Sequence, residues 1–128
     1  LASGEYATAV GPFAVAQGAS ASAFGDTASA LGDNSTAIGH YRVAQGLQST
    51  ATGYNAQAIG DYSTALGANA HANGSGDLSI GQNATAEGAG PYSSTPATAV
   101  GTNTLAAGYG ASAFGGGGRC WAMAPPSN

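Results

Sequence analysis

Apolar and polar positions alternate along this chain in phrases of seven residues, each closed by glycine. Glycine stands at 4, 11, 18, 25, 32, 39, 46, 53, 60, 67, 74, 81 and 88, and the beat resumes at 101, 108 and 115. Two positions before the glycine the residue is alanine, from Ala9 and Ala16 through Ala106 and Ala113, with Ser79 the exception. Four positions before it the residue is again mostly small, as at Ala14, Ala21, Ser35, Ser49 and Ala84, while Arg42, Asp77 and Thr104 depart. Small residues two apart mark one face of an extended strand, and glycine supplies the dihedrals of a tight turn. A helix is disfavoured by glycine at every seventh residue, at about 1 kcal/mol each relative to alanine. Collagen is excluded because glycine does not recur at every third residue. Short strand, turn, short strand, turn is what the pattern predicts.

The residues just before the glycines double the period. In odd phrases they read Val10, Phe24, Ile38, Thr52, Leu66, Ile80, Val100 and Phe114; in even phrases Gln17, Leu31, Gln45, Ile59, Asn73, Glu87 and Ala107. The first series is apolar at every place but Thr52, and the second is largely polar. Two phrases therefore make one coil of a β-solenoid whose interior admits only alanine and serine. About seven coils at ~4.8 Å each give a rod of roughly 35 Å. Residues that alternate with the inward alanines point outward, so the odd series forms an apolar stripe on one side of the rod. Soluble monomers seldom expose such a stripe, and the expectation is that another chain covers it.

The phrasing slips once. Between Gly88 and Gly101 thirteen residues stand where two phrases would take fourteen. Pro91 and Pro96 make a continuous central strand unfavourable there, so an irregular loop near 89–96 is expected to leave the coil and rejoin it at Ala97. The roll is expected over 1–118. Residues 119–128 have another composition and read as a tail foreign to the roll, or as a cap closing its open end with Trp121 and Met123.

Composition narrows the function classes. Charged residues are 6% of the chain, two basic and six acidic, so no patch could neutralise several phosphates and nucleic-acid binding is not expected. A lipid-surface role lacks its Lys/Arg cluster, and no apolar run approaches the roughly 18 residues of a membrane span. Much of the 43% apolar content is alanine, which cannot build a thick globular core. Disorder is the usual reading of so much Gly, Ala and Ser, but a strict period argues against it. Leu1 is not a start methionine and no signal peptide is visible, so a fragment or processed chain is expected. Cys120 is the one cysteine, and no internal disulfide is possible.

Asn34-Ser35-Thr36-Ala37-Ile38-Gly39 resembles the head repeat of trimeric autotransporter adhesins of the YadA type, and Tyr62-Ser63-Thr64-Ala65-Leu66-Gly67 and Ala97-Thr98-Ala99-Val100-Gly101 look like further copies. The resemblance covers about Gly4 to Gly115. It implies a left-handed parallel β-roll, assembled as a side-by-side homotrimer through the apolar strands. On the stripe, the interface residues would be Val10, Phe24, Ile38, Leu66, Ile80, Val100 and Phe114. It also implies an extracellular, cell-surface location outside a Gram-negative cell, anchored in the outer membrane through other parts of such a protein. The expected partners are host matrix proteins such as collagen, fibronectin or laminin, or other surfaces. The basic neck motif that joins head to stalk in that family is not found after Gly115, nor are stalk heptads or an anchor.

Candidate chemistry is sparse. His40 falls in a turn and His71 on an outward strand position, about two coils apart, with no ligand set at metal spacing. They read as solvated surface histidines, and no metal, cofactor or catalytic residue is expected. Glu5, Asp26, Asp33, Asp61 and Asp77 lie mainly in turns, where aspartate is a natural former, and Glu87 lies on an even outer face. Gly74-Ser-Gly76 and Gly108-Tyr-Gly110 lack the βαβ context of a phosphate-binding loop. Tyr41, Tyr54, Tyr62 and Tyr109 follow ladder glycines by one or two places. They are the candidate surface-binding residues, since tyrosine offers rigid area with a polar tip; covering coil edges or a neighbouring protomer is the plainer alternative. Three places before the odd glycines stand Thr8, Ser22, Thr36, Thr50, Thr64, Leu78, Thr98 and Ser112, a column resembling the faces of ice-binding β-solenoids. Threonine also simply suits strands. The sequence thus points to a non-enzymatic adhesion module, with an ice-binding solenoid or a purely structural fibre segment as alternatives.

Overall fold

A computed structural model describes residues 1–88 and 95–122. The described residues form short parallel strands and no helix. One sheet contains, in order, β1 (Thr8–Val10), β3 (Ser22–Phe24), β5 (Thr36–Ile38), β7 (Thr50–Thr52), β9 (Thr64–Leu66), β11 (Leu78–Ile80), β13 (Thr98–Val100) and β15 (Ser112–Phe114). The other contains β2 (Val15–Ala16), β4 (Ser29–Ala30), β6 (Val43–Ala44), β8 (Gln57–Ala58), β10 (His71–Ala72), β12 (Thr85–Glu87), β14 (Leu105–Gly108) and β16 (Arg119–Ala122). Each coil contributes one strand to each sheet, so the chain is a two-sided parallel β-solenoid. With 8 strands per sheet, at ~4.8 Å between neighbours, the rod is roughly 34 Å long.

The interior follows from the alternation. Ala23 pairs with Ala37, and Ala37 with Ala51, in one sheet; Ala30 pairs with Ala44 in the other. All of these are fully buried. Methyl groups facing methyl groups bring the sheets too close for anything larger, so the backbone ladders must supply most of the cohesion. The alanine core falls into two clusters, Ala14 to Ala72 and Ala84 to Ala113. Between them lie the buried polar residues Asp77 and Ser79.

The turns need glycine for two reasons. After odd strands the backbone takes a left-handed φ, +120° at Gly39, which a side chain would strain. After even strands the coils come too close, and a Cβ on Gly46 would fall on the carbonyl of Gly60 in the next coil. Two residues past the glycine the chain again enters the left-handed region. Asn55, Asn69, Asn83 and Asn103 occupy that place with φ of 54–58°, as asparagine tolerates it best after glycine.

Two sequence expectations change. The slip is not two phrases short by one residue. β11 pairs with β13 through Leu78↔Thr98, and β12 with β14 through Thr85↔Leu105, an offset of 20 where other coils step by 14. A single phrase has therefore gained six residues, and both sheets continue across it undisturbed. Of the loop expected near 89–96, residues 89–94, Pro91 included, lie outside the described residues; Thr95 and Pro96 lead back to buried Ala97. The tail also begins inside the roll, since Leu105↔Arg119, Ala106↔Cys120 and Ala107↔Trp121 pair in register. Trp121 extends an outer column and is 69% exposed, while half-buried Cys120 takes the inward place. Trp121 thus does not close the roll. Met123 lies outside the described residues.

The rejoining point is fixed by Asp77. Its carboxylate accepts hydrogen bonds from the amides of Gly74 at 2.7 Å, Gly88 at 2.8 Å and Ala97 at 2.7 Å. Gly88 and Ala97 flank the inserted segment, so one buried acid holds both of its ends.

Candidate binding surfaces

The described surface has no concave pocket, and no group of three or more His, Cys, Asp or Glu among the described residues could hold a metal. Function must be sought on the outer columns.

On the odd sheet the predicted stripe forms in register: Val10↔Phe24, Phe24↔Ile38, Ile38↔Thr52, Thr52↔Leu66, Leu66↔Ile80, Ile80↔Val100 and Val100↔Phe114. Phe24 is 40% exposed and Ile38 42%, while Leu66, Ile80 and Val100 are half-buried. Beside it runs the Thr8–Ser22–Thr36–Thr50–Thr64–Leu78–Thr98–Ser112 column, paired in the same strands. One flat face therefore carries both an aliphatic and a hydroxyl column. On the even sheet Gln17, Gln45 and Glu87 are exposed, and no comparable stripe develops.

The two edges carry the tyrosines. Tyr41 and Tyr54 lie on the edge that follows the odd strands, and Tyr62 and Tyr109 on the opposite edge. All four are exposed. Tyr41 and Tyr62 sit in the left-handed place at φ 53° and 60°, a conformation bulky side chains rarely adopt. Among the described residues no ring contact joins Tyr62 to Tyr109.

Tyr41 and Tyr54 do come together, and His40 joins them. The His40 ring lies 4.1 Å from Tyr41 and is stacked on Tyr54 at 5.7 Å, while Tyr41 and Tyr54 meet edge-on at 6.4 Å. Asp26, one coil earlier, places Oδ2 3.4 Å from His40 Nε2 and accepts at Oδ1 from the Thr27 hydroxyl at 2.8 Å. His40 is therefore not simply a solvated histidine, as the sequence implied; His71 stands on the even sheet away from this group. The missed signal was arithmetic: 26, 40 and 54 differ by one coil each, so they had to stack. Asp33 and Asp61, on the other edge, do what turn aspartates do, accepting from the Ala19 and Leu47 amides of the preceding coil at 2.8 Å each.

Arg42 lies behind the aromatic group and is completely buried. Its guanidinium donates to the carbonyls of Phe24 and Asp26 at 3.4 Å each, and its Nε has no partner. Burial pushes its pKa down, and the Asp26 charge partly offsets this. Further along the same edge Asn55 donates to Asn69 at 3.0 Å, Asn69 to Asn83 at 3.2 Å and Asn83 to Asn103 at 2.9 Å. That amide ladder satisfies its own polar groups and reads as structural.

A parallel β-solenoid of fourteen-residue coils, with an alanine interior, is the class this geometry defines. The YadA head domain repeat (2 copies) model matches residues 2–26, 16–41, 44–70 and 93–117. The chain belongs to the YadA head-repeat family. No curated protein matches it.

Proposed function

We propose that this chain is the adhesive head of a trimeric surface protein, in which three left-handed rolls pack side by side through the stripe of Val10, Phe24, Ile38, Leu66, Ile80, Val100 and Phe114. The observation that carries the reading is the unbroken register of that stripe, exposed on a single roll. Covering it with two other copies removes the exposed apolar surface that soluble monomers avoid. The module is non-enzymatic and extracellular, held at the outer membrane by other parts of the protein, and exposes the remaining faces to host matrix proteins such as collagen, fibronectin or laminin. Three copies strengthen weak contacts by avidity.

The test is mass in solution by sedimentation velocity. A trimer that dissociates on Ile38→Asp or Leu66→Asp is expected; unchanged assembly in both would place the interface elsewhere. The hydroxyl column beside the stripe supports a second reading, a monomeric ice-binding solenoid. A monomeric wild-type protein showing thermal hysteresis would establish that one instead.

A further inference from the structure

We propose that the odd edge of the second to fourth coils, built from Asp26, His40, Tyr41 and Tyr54, is a binding site for a neutral saccharide. The proposal rests on the adhesion reading in giving the roll a ligand at all, but its site stands on one chain and uses none of the stripe. Sugar recognition needs an aromatic face against which ring C–H groups lie, and polar groups at its rim for the hydroxyls. Both are present. His40 and Tyr54 stack and Tyr41 stands edge-on to Tyr54, so the rings are not parallel copies but meet at an angle. Tyr41 is 53% and Tyr54 55% exposed. The next residue in the Tyr54 column is Ala68, whose methyl leaves room beside the ring. The Asp26 carboxylate is held by Thr27 and His40 yet about half exposed, with acceptor capacity left for hydroxyl donors.

Charge selects among ligands. The buried Arg42 guanidinium reaches the Asp26 backbone and interacts with its carboxylate, so the site carries one charge of each sign. A basic peptide would meet no net attraction there. An acidic sugar would approach a chain of net charge −4. A neutral saccharide is the class that loses nothing to either. The column to which Tyr41 belongs runs Phe13, Thr27, Tyr41, Asn55, Asn69, Asn83 and Asn103, all in the left-handed region, and among the described residues Tyr41 is the aromatic of this column that meets other rings.

The experiment is heteronuclear NMR and calorimetry of the intact protein with lactose, cellotriose and tri-N-acetylchitotriose as probes, and hexalysine as the charged comparison. Shifts centred on His40, Tyr41 and Tyr54 with at least one neutral saccharide are expected. Tyr54→Ala and Asp26→Asn should each weaken binding about tenfold, equivalent to ~1.4 kcal/mol. Glu87→Gln, the same charge change on the other sheet, should not. Unfolding midpoints of these surface variants are expected to stay near wild type. Absence of binding to all three saccharides would overturn the proposal, as would equal binding by every variant or a stronger hexalysine response at the same residues. So would a change in the mass of the assembly in Tyr54→Ala, which would make the cluster a contact between copies. Saccharide binding at the cluster by a protein that adheres to no matrix or cell surface would leave this site standing and defeat the adhesion reading alone.

Discussion

Replacing Asp77 tests what holds the roll together where the register gains six residues. The carboxylate is fully buried and receives three amides, two of which bracket the insertion. Hydrogen bonds to a charged group contribute ~1.5–3 kcal/mol each, partly cancelled by the cost of burying the charge. Asp77→Asn keeps one acceptor oxygen for Gly74 and Gly88 but turns an NH2 toward the Ala97 amide, donor against donor. It should destabilise by roughly 2–3 kcal/mol, the loss of one such bond with a buried N–H left unpaired. Asp77→Ala strands all three amides and should cost ~4–6 kcal/mol, among the larger single-residue effects. Urea unfolding at fixed protein concentration gives the totals, and amide exchange at Gly88 and Ala97 shows whether the loss is local. Asp77→Asn within ~0.5 kcal/mol of wild type, with unchanged exchange at both amides, would refute the role assigned to this side chain; that is the scatter expected of a substitution away from any such feature.

Arg42→Ala should be neutral or raise the unfolding free energy by up to ~3 kcal/mol, because it removes a buried charge with no carboxylate bonded to it and restores the alanine found at the same place in other coils. Since folding lowers its pKa, the charged side chain opposes folding throughout the neutral range. That penalty is relieved only as alkaline pH approaches its titration, so a stability gain for the variant confined to high pH would contradict this account. Ser49→Ala should cost about 1 kcal/mol, since its hydroxyl donates to the Gly46 carbonyl at 2.7 Å. Ser63→Ala, whose hydroxyl is buried without a partner, should be neutral or stabilising in the same chemical-denaturation assay, and equal losses in the two would show that the hydrogen bond is not what matters.

The strands, the inward alanines, the outward stripe and its doubled period were legible because each is enforced at every coil, so chance substitutions cannot mask them. The insertion was miscounted for the opposite reason. Nothing in Gly88-to-Gly101 states how many residues belong to the sheet; only the pairing of Leu78 with Thr98 does. The tail was misread on composition: Arg119–Ala122 carries no terminal glycine, yet a strand edge left by β14 pairs with it through backbone groups that any residue provides. The edge cluster was hidden by reading Tyr41 and Tyr54 as isolated turn residues. Apart from His40 beside Tyr41, their neighbours lie a whole coil away, as His40 does from Tyr54.

Where the repeat is obeyed, its residues explain themselves by packing. Alanine fills the interior, glycine admits the turns, and asparagine suits the left-handed step and bonds to its copy in the next coil. A residue that breaks its column must be stabilised by something else or serve something else. Asp77 breaks the interior column and is answered by three amides around the insertion. Arg42 breaks the corresponding interior column before the even strands and is answered only by two long bonds to carbonyls, with Nε left unpaired. Structure alone therefore accounts for Asp77 but not for Arg42. The coil that buries Arg42 also carries His40 and Tyr41 on its outer edge, with Asp26 one coil before and Tyr54 one coil after. An exception inside the roll coincides with the cluster of exceptions outside it, and the charge that the interior tolerates poorly is the one that balances Asp26 at the surface. That coincidence gives the cluster a claim to function that the evenly repeated stripe, which the proposed assembly would suffice to explain, does not have.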